Sequence, residues 1–323
     1  MKIVFMGTPD AAVPSLQRLV DDGHRIAGVY TQPDRPSGRG KRIVFSPVKV
    51  LALDLGLPLF QPERIRTPEA LTEFASLNAD IAVVVAYGRI LPESFLAAFP
   101  RGAVNLHFSL LPKYRGAAPV NWAIVNGETT TGVTTIQMNA GLDTGDLLLS
   151  RETEIYADET APELMTRLAK IGSDVLAETI TTFDQIAPKP QDDALATFAP
   201  IMKRDDGLIN WDQSAAEIAN RVRGFIPFPG SFTYLNGRKI GIWAARPRVG
   251  EWQSFWVPGE IVSVADRRLI VAAGSGTLLE IEELQFEGKS RISAREALNG
   301  SQFSVGSLLG TANLPARRSA EKS

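Results

Sequence analysis

Strand-like and helix-like segments alternate along the first half of this sequence, and that alternation constrains the fold more than any other feature. Short apolar runs such as Ile81–Ala86 predict buried strands, and segments with helical spacing such as Thr160–Phe183 predict amphipathic helices. This order favours an α/β domain in which a mostly parallel, Rossmann-like sheet is covered by helices on both faces. Ligands of such sheets bind at the carboxyl ends of the strands, so the loops after Met6, Thr31 and Phe108 become candidates for a site.

The pattern changes near residue 187, where a polar, proline-rich stretch predicts a linker. Beyond it, short β runs crowd together around an Asn236-Gly237 turn, which is a strong hairpin signal and favours a small OB-like β-barrel. The sequence therefore predicts an α/β domain over 1–187, a linker over 188–207, a C-terminal barrel over 208–315 and a loose tail over 316–323.

Composition excludes several kinds of chemistry. The chain has no cysteine, which rules out disulfides, thiolate metal clusters and a cysteine nucleophile and fits a reducing, cytoplasmic location. Only His24 and His107 are available for histidine chemistry, and no cluster of metal ligands is apparent, so we expect no metal. No apolar run reaches the roughly 18 residues that span a bilayer. The net charge is −2, so a nucleic-acid partner would have to meet local basic patches.

The segment Asn105–Pro112 is the sharpest candidate for a catalytic site. Asn105 and His107 lie two residues apart at the end of a predicted strand, so their side chains share one face. An amide can donate a hydrogen bond to an oxygen that becomes negative, and an imidazole can exchange a proton near neutrality, so the pair suits attack on an acyl group. The alternative is that His107 only satisfies a backbone partner in the core.

Asp143 lies between two glycines in the segment Gly141–Asp146. Its carboxylate would suit a role beside His107, either orienting the ring or holding it charged. A β-turn with a solvated aspartate explains the same residues, and sequence spacing alone does not bring Asp143 to His107.

A glycine- and proline-rich loop follows the second predicted strand, over Gln32–Arg42, and its charged residues are mostly cationic. Such a loop suits phosphate binding, although an ordinary solvated loop is the alternative. Two more cations lie near the predicted linker, where ordinary surface charge explains them equally well. The candidate cations are Arg35, Arg39, Lys41, Arg42, Lys203 and Arg204.

Several of these motifs resemble those of a known family. Asn105–Pro112 and Gly141–Gly145 resemble the active-site signature of the folate-dependent formyltransferases, which include enzymes acting on small amines. Within that family, Phe5–Asp10, the basic loop and Lys113–Pro119 resemble the branch that formylates methionyl-tRNA, and the likeness extends over nearly the whole chain.

The resemblance implies a reaction and its partners. The co-substrate would be 10-formyltetrahydrofolate, and the acceptor would be the α-amino group of initiator methionyl-tRNA, for translation initiation. Asn105, His107 and Asp143 would take part in the transfer, and the barrel and the basic residues would bind tRNA. Independently of the resemblance, we expect the protein to be a monomer. The folate site would be lined by Ser109, Leu110, Leu111 and Pro112.

Two other interpretations stay open at this point. One is a formyltransferase for a small amine such as a nucleotide amino sugar, although such an acceptor needs neither a basic loop nor a barrel. The other is a non-catalytic RNA-binding protein on the same fold. A turnover assay with each acceptor separates them.

Overall fold

The computed structural model describes residues 1–37, 42–300 and 302–310. Helices and strands alternate through the first part of the chain, and strands dominate the last part. In chain order they are β1 (Lys2–Gly7), α1 (Val13–Asp21), β2 (Arg25–Tyr30), β3 (Arg35–Ser37), β4 (Arg42–Val44), α2 (Pro47–Asp54), β5 (Leu59–Phe60), α3 (Pro68–Ser76), β6 (Ile81–Val85), α4 (Glu93–Leu96), β7 (Ala103–His107), β8 (Arg115–Gly116), α5 (Pro119–Val125), β9 (Thr130–Gln137), β10 (Asp146–Glu154), α6 (Ala161–Thr181), β11 (Phe198–Ala199), α7 (Ala215–Gly224), β12 (Ser231–Leu235), β13 (Arg238–Arg248), β14 (Ile261–Ser263), β15 (Leu269–Ala273), β16 (Thr277–Phe286), β17 (Arg291–Ser293), α8 (Ala294–Ala297) and β18 (Leu309–Gly310).

The first sheet is mostly parallel, as the alternation predicted. Its strand order is β10-β9-β7-β6-β1-β2-β5, and every neighbouring pair from β7 to β5 is parallel. β9 is antiparallel to both β7 and β10. All residues of β6 and β7 are buried, which is why these strands read as unbroken apolar runs rather than as alternating ones. The functional strand β7 therefore lies inside the sheet, between β6 and β9.

Capping residues fix where several helices begin. The Ser46 hydroxyl accepts a hydrogen bond from the backbone N–H of Lys49, and a proline follows it at the first position of α2. Thr67 caps α3 in the same way, through the N–H of Ala70. A side-chain oxygen at this position satisfies one of the unpaired N–H groups of the first helical turn, and proline loses nothing there because that turn leaves its N–H unpaired.

The basic loop contains structure that the sequence did not predict. β3 and β4 form a short antiparallel hairpin in which Arg35 is paired with Val44 and Ser37 with Arg42. Pro36, part of the proline content that favoured an irregular loop, lies inside β3 and is paired with Ile43. Arg39 and Lys41, which we interpreted from the sequence as candidates for phosphate binding, lie outside the described residues.

Residues 188–200 lie in the stretch that the sequence predicted to be a linker. They pair instead with two other segments of the same compact unit. Lys189 forms an antiparallel bridge with Leu147, and β11 runs parallel to β8. The chain accordingly forms one compact unit from Met1–Pro119, Thr130–Glu154 and Glu163–Pro200. A second unit contains Val120–Thr129, Ile155–Pro162 and the described residues from Ile201 onward.

The second unit contains a curled antiparallel sheet, which confirms the predicted barrel. The strand order is β14-β15-β16-β13-β12-β18, with β17 paired to β16. An antiparallel bridge between Glu260 and Leu308 joins the two ends of this order. The interior is apolar and includes Trp211, whose indole N–H donates to Thr233 Oγ1 at 3.0 Å, and Ile218 of α7. This bridge occupies part of the two sheet edges that would otherwise be free to pair with another chain.

Candidate active site

Asn105 and His107 lie near the carboxyl end of β7 and point to the same face, since they are two residues apart on one strand. In the antiparallel neighbour β9, they stand opposite Ile136 and Thr134. Only 9% of Asn105 and 6% of His107 is exposed. Two polar side chains are thus largely buried, where a hydrogen bond is stronger than in water because the local dielectric is lower.

The Asn105 amide receives no hydrogen bond from, and donates none to, any group in the part of the chain described by the structure. The Asn105 amide atoms are not among the fully buried side-chain atoms that lack a partner, so they remain open to solvent. The group is therefore available to a ligand, and its two N–H donors suit a carbonyl oxygen.

His107 has one nitrogen occupied and one facing a carboxylate. Its Nε2 lies 2.9 Å from the backbone carbonyl oxygen of Tyr114. A carbonyl only accepts hydrogen bonds, so Nε2 carries a proton and Nδ1 is the nitrogen without one in the neutral ring. Nδ1 lies 3.7 Å from Asp143 Oδ1, which is beyond hydrogen-bond distance but close enough for strong attraction when the ring is charged.

Asp143 reaches His107 through an unusual backbone conformation. Its φ is +54°, in the left-handed region that few non-glycine residues adopt and that aspartate adopts more readily than most. The backbone N–H of Gly116 donates to Asp143 Oδ2 at 2.8 Å. The side-chain amide of Gln191 donates to the carbonyls of Asp143 and Gly145, at 2.8 and 2.7 Å. The structure thus brings together Asn105, His107 and Asp143, which the sequence spacing alone left apart.

The predicted folate segment forms a tight turn directly after β7. The hydroxyl of Thr134 donates to the carbonyl of Ser109 at 2.7 Å and accepts from the N–H of Leu111 at 3.2 Å. Ser109 is buried, and its own hydroxyl donates to the carbonyl of Lys113 at 2.6 Å. Leu110 and Pro112 are half-buried and Leu111 is buried. The turn is held by these polar bonds, while Leu110 and Pro112 keep part of their apolar side chains exposed.

The ends of β1, β2 and β6 are tied together at the same edge of the sheet. The carbonyl of Tyr87 accepts hydrogen bonds from Thr8 Oγ1 and from Gln32 Nε2, both at 3.1 Å. These contacts fix the three loops that follow the parallel strands. Ligand sites in such folds lie at this edge, so the loops border the region that Asn105 and His107 occupy.

The base of the basic hairpin is anchored by a polar network. Asp34 accepts a hydrogen bond from Gln61 at 2.9 Å and pairs with the ammonium of Lys49 at 2.5 Å. The hydrogen bond from Gln61 favours the ionised form of the Asp34 carboxyl most, and the hydrogen bond from Lys49 comes second. The pKa of Asp34 therefore lies below its usual value. The ammonium of Lys49 also lies 3.9 Å from the centre of the Phe45 ring. The hairpin is thereby fixed to α2 at its base.

The proposed tRNA contacts are distributed between the two units. Arg35 is exposed on β3, and Arg42 opens β4. Lys203 and Arg204 are exposed in the second unit, where the N–H of Lys203 donates to Asp206 at 2.6 Å. Arg39 and Lys41 fall outside the described residues.

Four groups of this site were missed by sequence reasoning: the Tyr114 carbonyl, the Gly116 N–H, Thr134 and Gln191. Two are backbone groups, which a side-chain motif does not reveal. Thr134 lies mid-strand, where a threonine has ordinary β propensity. Gln191 lies in a stretch that reads as a linker. Gly116 gave a usable signal, because a glycine beside predicted site residues marks a position of close approach or positive φ, and its φ is +125°.

Comparisons with known proteins identify the family of this chain. A family described as "Formyl transferase" matches residues 1–180, and "Formyl transferase, C-terminal domain" matches residues 201–302. An N-formyltransferase from Helicobacter canadensis, solved in complex with folinic acid and dTDP-3-aminofucose, superposes with a TM-score of 0.66 at 18% identity, over 87% of this chain and 98% of that one. At this identity the likeness shows the fold alone. Fold and family model together define a formyl transferase.

Relatives in sequence indicate which kind of formyl transferase this chain is. The methionyl-tRNA formyltransferase of Geobacter metallireducens is 46% identical over 96% of this chain and 99% of its own length. That of Alkaliphilus oremlandii is 47% identical over 96% of this chain and 100% of its own length. The chain belongs to the methionyl-tRNA formyltransferase family. Both resemblances read from the sequence motifs are thereby confirmed.

No helix in residues 1–37, 42–300 and 302–310 is both long and apolar enough to cross a membrane. Over the same residues, histidines and carboxylates form no group suited to hold a metal ion.

Proposed function

We propose that this protein transfers the formyl group of 10-formyltetrahydrofolate to the α-amino group of initiator methionyl-tRNA. The observation that carries the proposal is the Asn105 amide, which is nine-tenths buried and has no partner among the described residues, next to His107 Nδ1 and Asp143. This arrangement suits a carbonyl oxygen that gains negative charge. The methionyl-tRNA specificity is supported by relatives that align with almost the whole chain.

In the proposed reaction, the amine nitrogen adds to the formyl carbon and the carbonyl electrons move onto oxygen. The bond from that carbon to N10 of the folate then breaks, N10 takes up a proton, and the former amine loses one. Asn105 donates a hydrogen bond to the oxygen throughout. Nδ1 of His107, once protonated, donates a second, and the Asp143 carboxylate stabilises the charged ring. No covalent enzyme intermediate is required, in keeping with a chain that has no cysteine.

Ser109, Leu110, Leu111 and Pro112 are proposed to contact the folate. The support is their location immediately after β7, within a turn that the hydroxyl of Thr134 holds in place. The half-buried side chains of Leu110 and Pro112 are available to the apolar part of a ligand. The residues present therefore fit a folate co-substrate.

Arg35, Arg39, Lys41, Arg42, Lys203 and Arg204 are proposed to contact tRNA phosphates. The net charge of −2 makes such binding depend on local cations rather than on overall charge. We also propose a catalytic domain over 1–187, a linker over 188–207 whose first part, through residue 200, packs with the first unit, a tRNA-binding barrel over 208–315 and a tail over 316–323. The protein is proposed to act as a monomer in the cytoplasm.

The test is formyl transfer from labelled 10-formyltetrahydrofolate to three acceptors: methionyl-initiator tRNA, methionyl-elongator tRNA and a nucleotide amino sugar. We expect label on the initiator tRNA at a much higher kcat/KM than on either other acceptor. Label on the sugar alone would replace the proposal with the small-amine alternative. No label on any acceptor, from protein with a normal unfolding transition, would make the chain a non-catalytic binder.

Salt dependence tests the proposed phosphate contacts. Affinity for tRNA should fall steeply as salt rises, because each neutralised phosphate releases condensed counterions. The double substitution Lys203→Ala and Arg204→Ala should lower the slope of log affinity against log salt by roughly one for each phosphate contact removed. An unchanged slope would exclude both residues from the interface. Lys170→Ala, an exposed site on α6, serves as the matched control.

A further inference from the structure

We propose that Gln191 is a positioning residue for formyl transfer: it holds the Asp143 loop so that the carboxylate faces Nδ1 of His107. The inference rests on the proposed function, because it concerns the rate of that reaction. Gln191 lies in the polar, proline-rich stretch between α6 and β11, where sequence reasoning expects a linker.

The contacts of Gln191 bridge the loop that carries Asp143. Its Nε2 donates to the carbonyl of Asp143 at 2.8 Å and to that of Gly145 at 2.7 Å. Both N–H donors of the amide are therefore used, on carbonyls two residues apart. Asp143 has a φ of +54°, which aspartate tolerates better than most non-glycine residues and which neighbouring bonds help to hold. Gln191 supplies two of those bonds from outside the loop.

Arg115 fixes which way the amide of Gln191 points. Nε and Nη2 of Arg115 both donate to Gln191 Oε1, at 3.1 and 2.8 Å. The flipped amide would set its NH2 group against the guanidinium and its oxygen against two carbonyls, so it is excluded by hydrogen-bond chemistry. The Arg115 side chain is only 5% exposed and also pairs with Asp193 at 2.8 Å. The Gln191 amide is thus locked by a buried cation.

The same short segment supports both partners in the proposed chemistry. The carbonyl of Tyr114 holds His107 Nε2, and the N–H of Gly116 holds Asp143 Oδ2. Arg115, between them, orients Gln191. Thr197 adds a further tie, since its hydroxyl accepts from the N–H of Tyr114 at 2.9 Å. Residues 191–199 therefore act on Asp143 directly and on His107 through Tyr114, which gives the stretch a role in the site rather than only in chain connection.

The substitution Gln191→Glu is the sharpest test. Glutamate has the same shape and keeps an acceptor for Arg115, so the fold should survive, but an ionised carboxylate has no N–H for the carbonyls of Asp143 and Gly145. We expect kcat for methionyl-tRNA to fall about 10–100-fold, the loss typical of a misplacement near 1 Å, with each KM within about threefold of wild type. Unchanged kcat would overturn the proposal. So would a rise in KM alone.

A double-mutant cycle separates positioning from general structural support. If Gln191 acts through Asp143, Gln191→Leu should lower kcat in the wild-type background but change it by less than about threefold when Asp143 is already alanine. Independent, multiplicative losses would overturn the proposal. Gln185→Leu, an exposed glutamine on the same stretch of chain, is the control and should match wild type. Wild-type protein that formylates no methionyl-tRNA would instead refute the proposed function, which keeps the two failures distinct.

Discussion

Replacing Asn105 by alanine separates catalysis from folding more cleanly than any other change in this site. The side chain is nine-tenths buried, yet its amide has no hydrogen-bond partner in the described part of the chain. The pairing of β7 with β6 and β9 uses backbone groups only. The substitution therefore breaks no internal hydrogen bond, and we expect the free energy of unfolding to change by about 1 kcal/mol or less.

The effect on the reaction should be far larger. An amide that donates to a developing oxyanion in a water-poor site contributes about 2.7–4 kcal/mol to transition-state stabilisation, which is a factor of about 10²–10³ in kcat. Because the bond strengthens as negative charge develops, kcat should fall while the KM values for both substrates change little. Asn105 would then stabilise the transition state rather than the bound substrates.

The assay is single-turnover transfer from labelled 10-formyltetrahydrofolate to methionyl-initiator tRNA, with thermal and urea unfolding of the same preparations. Asn299→Ala, at an exposed asparagine, is the matched control. A rate within about threefold of wild type would refute the reasoning. A rate loss accompanied by an equally large loss of stability would also refute it, since the residue would then be structural.

Three further substitutions test the supporting geometry. Gly116→Ala should lower both stability, by about 1–3 kcal/mol, and transfer rate, because φ is +125° and the new Cβ would lie 2.6 Å from the carbonyl oxygen of Ala199. Gly56→Ala, with positive φ but open space, should affect stability alone in urea unfolding. Thr134→Val should raise the KM for the folate and lower the free energy of unfolding by about 1–3 kcal/mol, because two buried backbone groups lose their hydrogen-bond partner. A KM for the folate equal to that of wild type would contradict this. Asp34→Asn should reduce the stability that the protein loses on acidification. Because the pKa of Asp34 is lowered in the folded protein, its contribution to stability is present above the ordinary pKa of about 3.9 and disappears as the pH falls through the lower folded value. Urea unfolding midpoints at neutral and acid pH would show the difference between the variant and wild type.

The fold was largely predictable because its signals are local. An apolar run such as Ile81–Val85 identifies a buried parallel strand, and Ser46 or Thr67 before a proline identifies a helix start. The short pair β8 and β11 gave no such signal. Two-residue strands have no periodicity to detect, and their partners are far apart in sequence. The hairpin of β3 and β4 was not predicted, because its strands are three residues long and one of them contains Pro36, which is unfavourable in a strand.

The site was predictable only in part for a related reason. The spacing of Asn105 and His107 follows from strand geometry and was visible in the sequence. The approach of Asp143 to His107 was not, because it depends on one left-handed backbone angle and on contacts from Gly116 and Gln191. A turn with a solvated aspartate has the same local sequence. Tertiary hydrogen bonds decided between the two.

A crystal structure with a non-reactive formyl-folate bound would test the central claim most directly. We predict that the formyl oxygen lies about 2.7–3.1 Å from both the Asn105 amide nitrogen and Nδ1 of His107, with the folate against residues 109–112. A formyl oxygen that contacts neither group, in a complex whose folate is well ordered, would contradict the account.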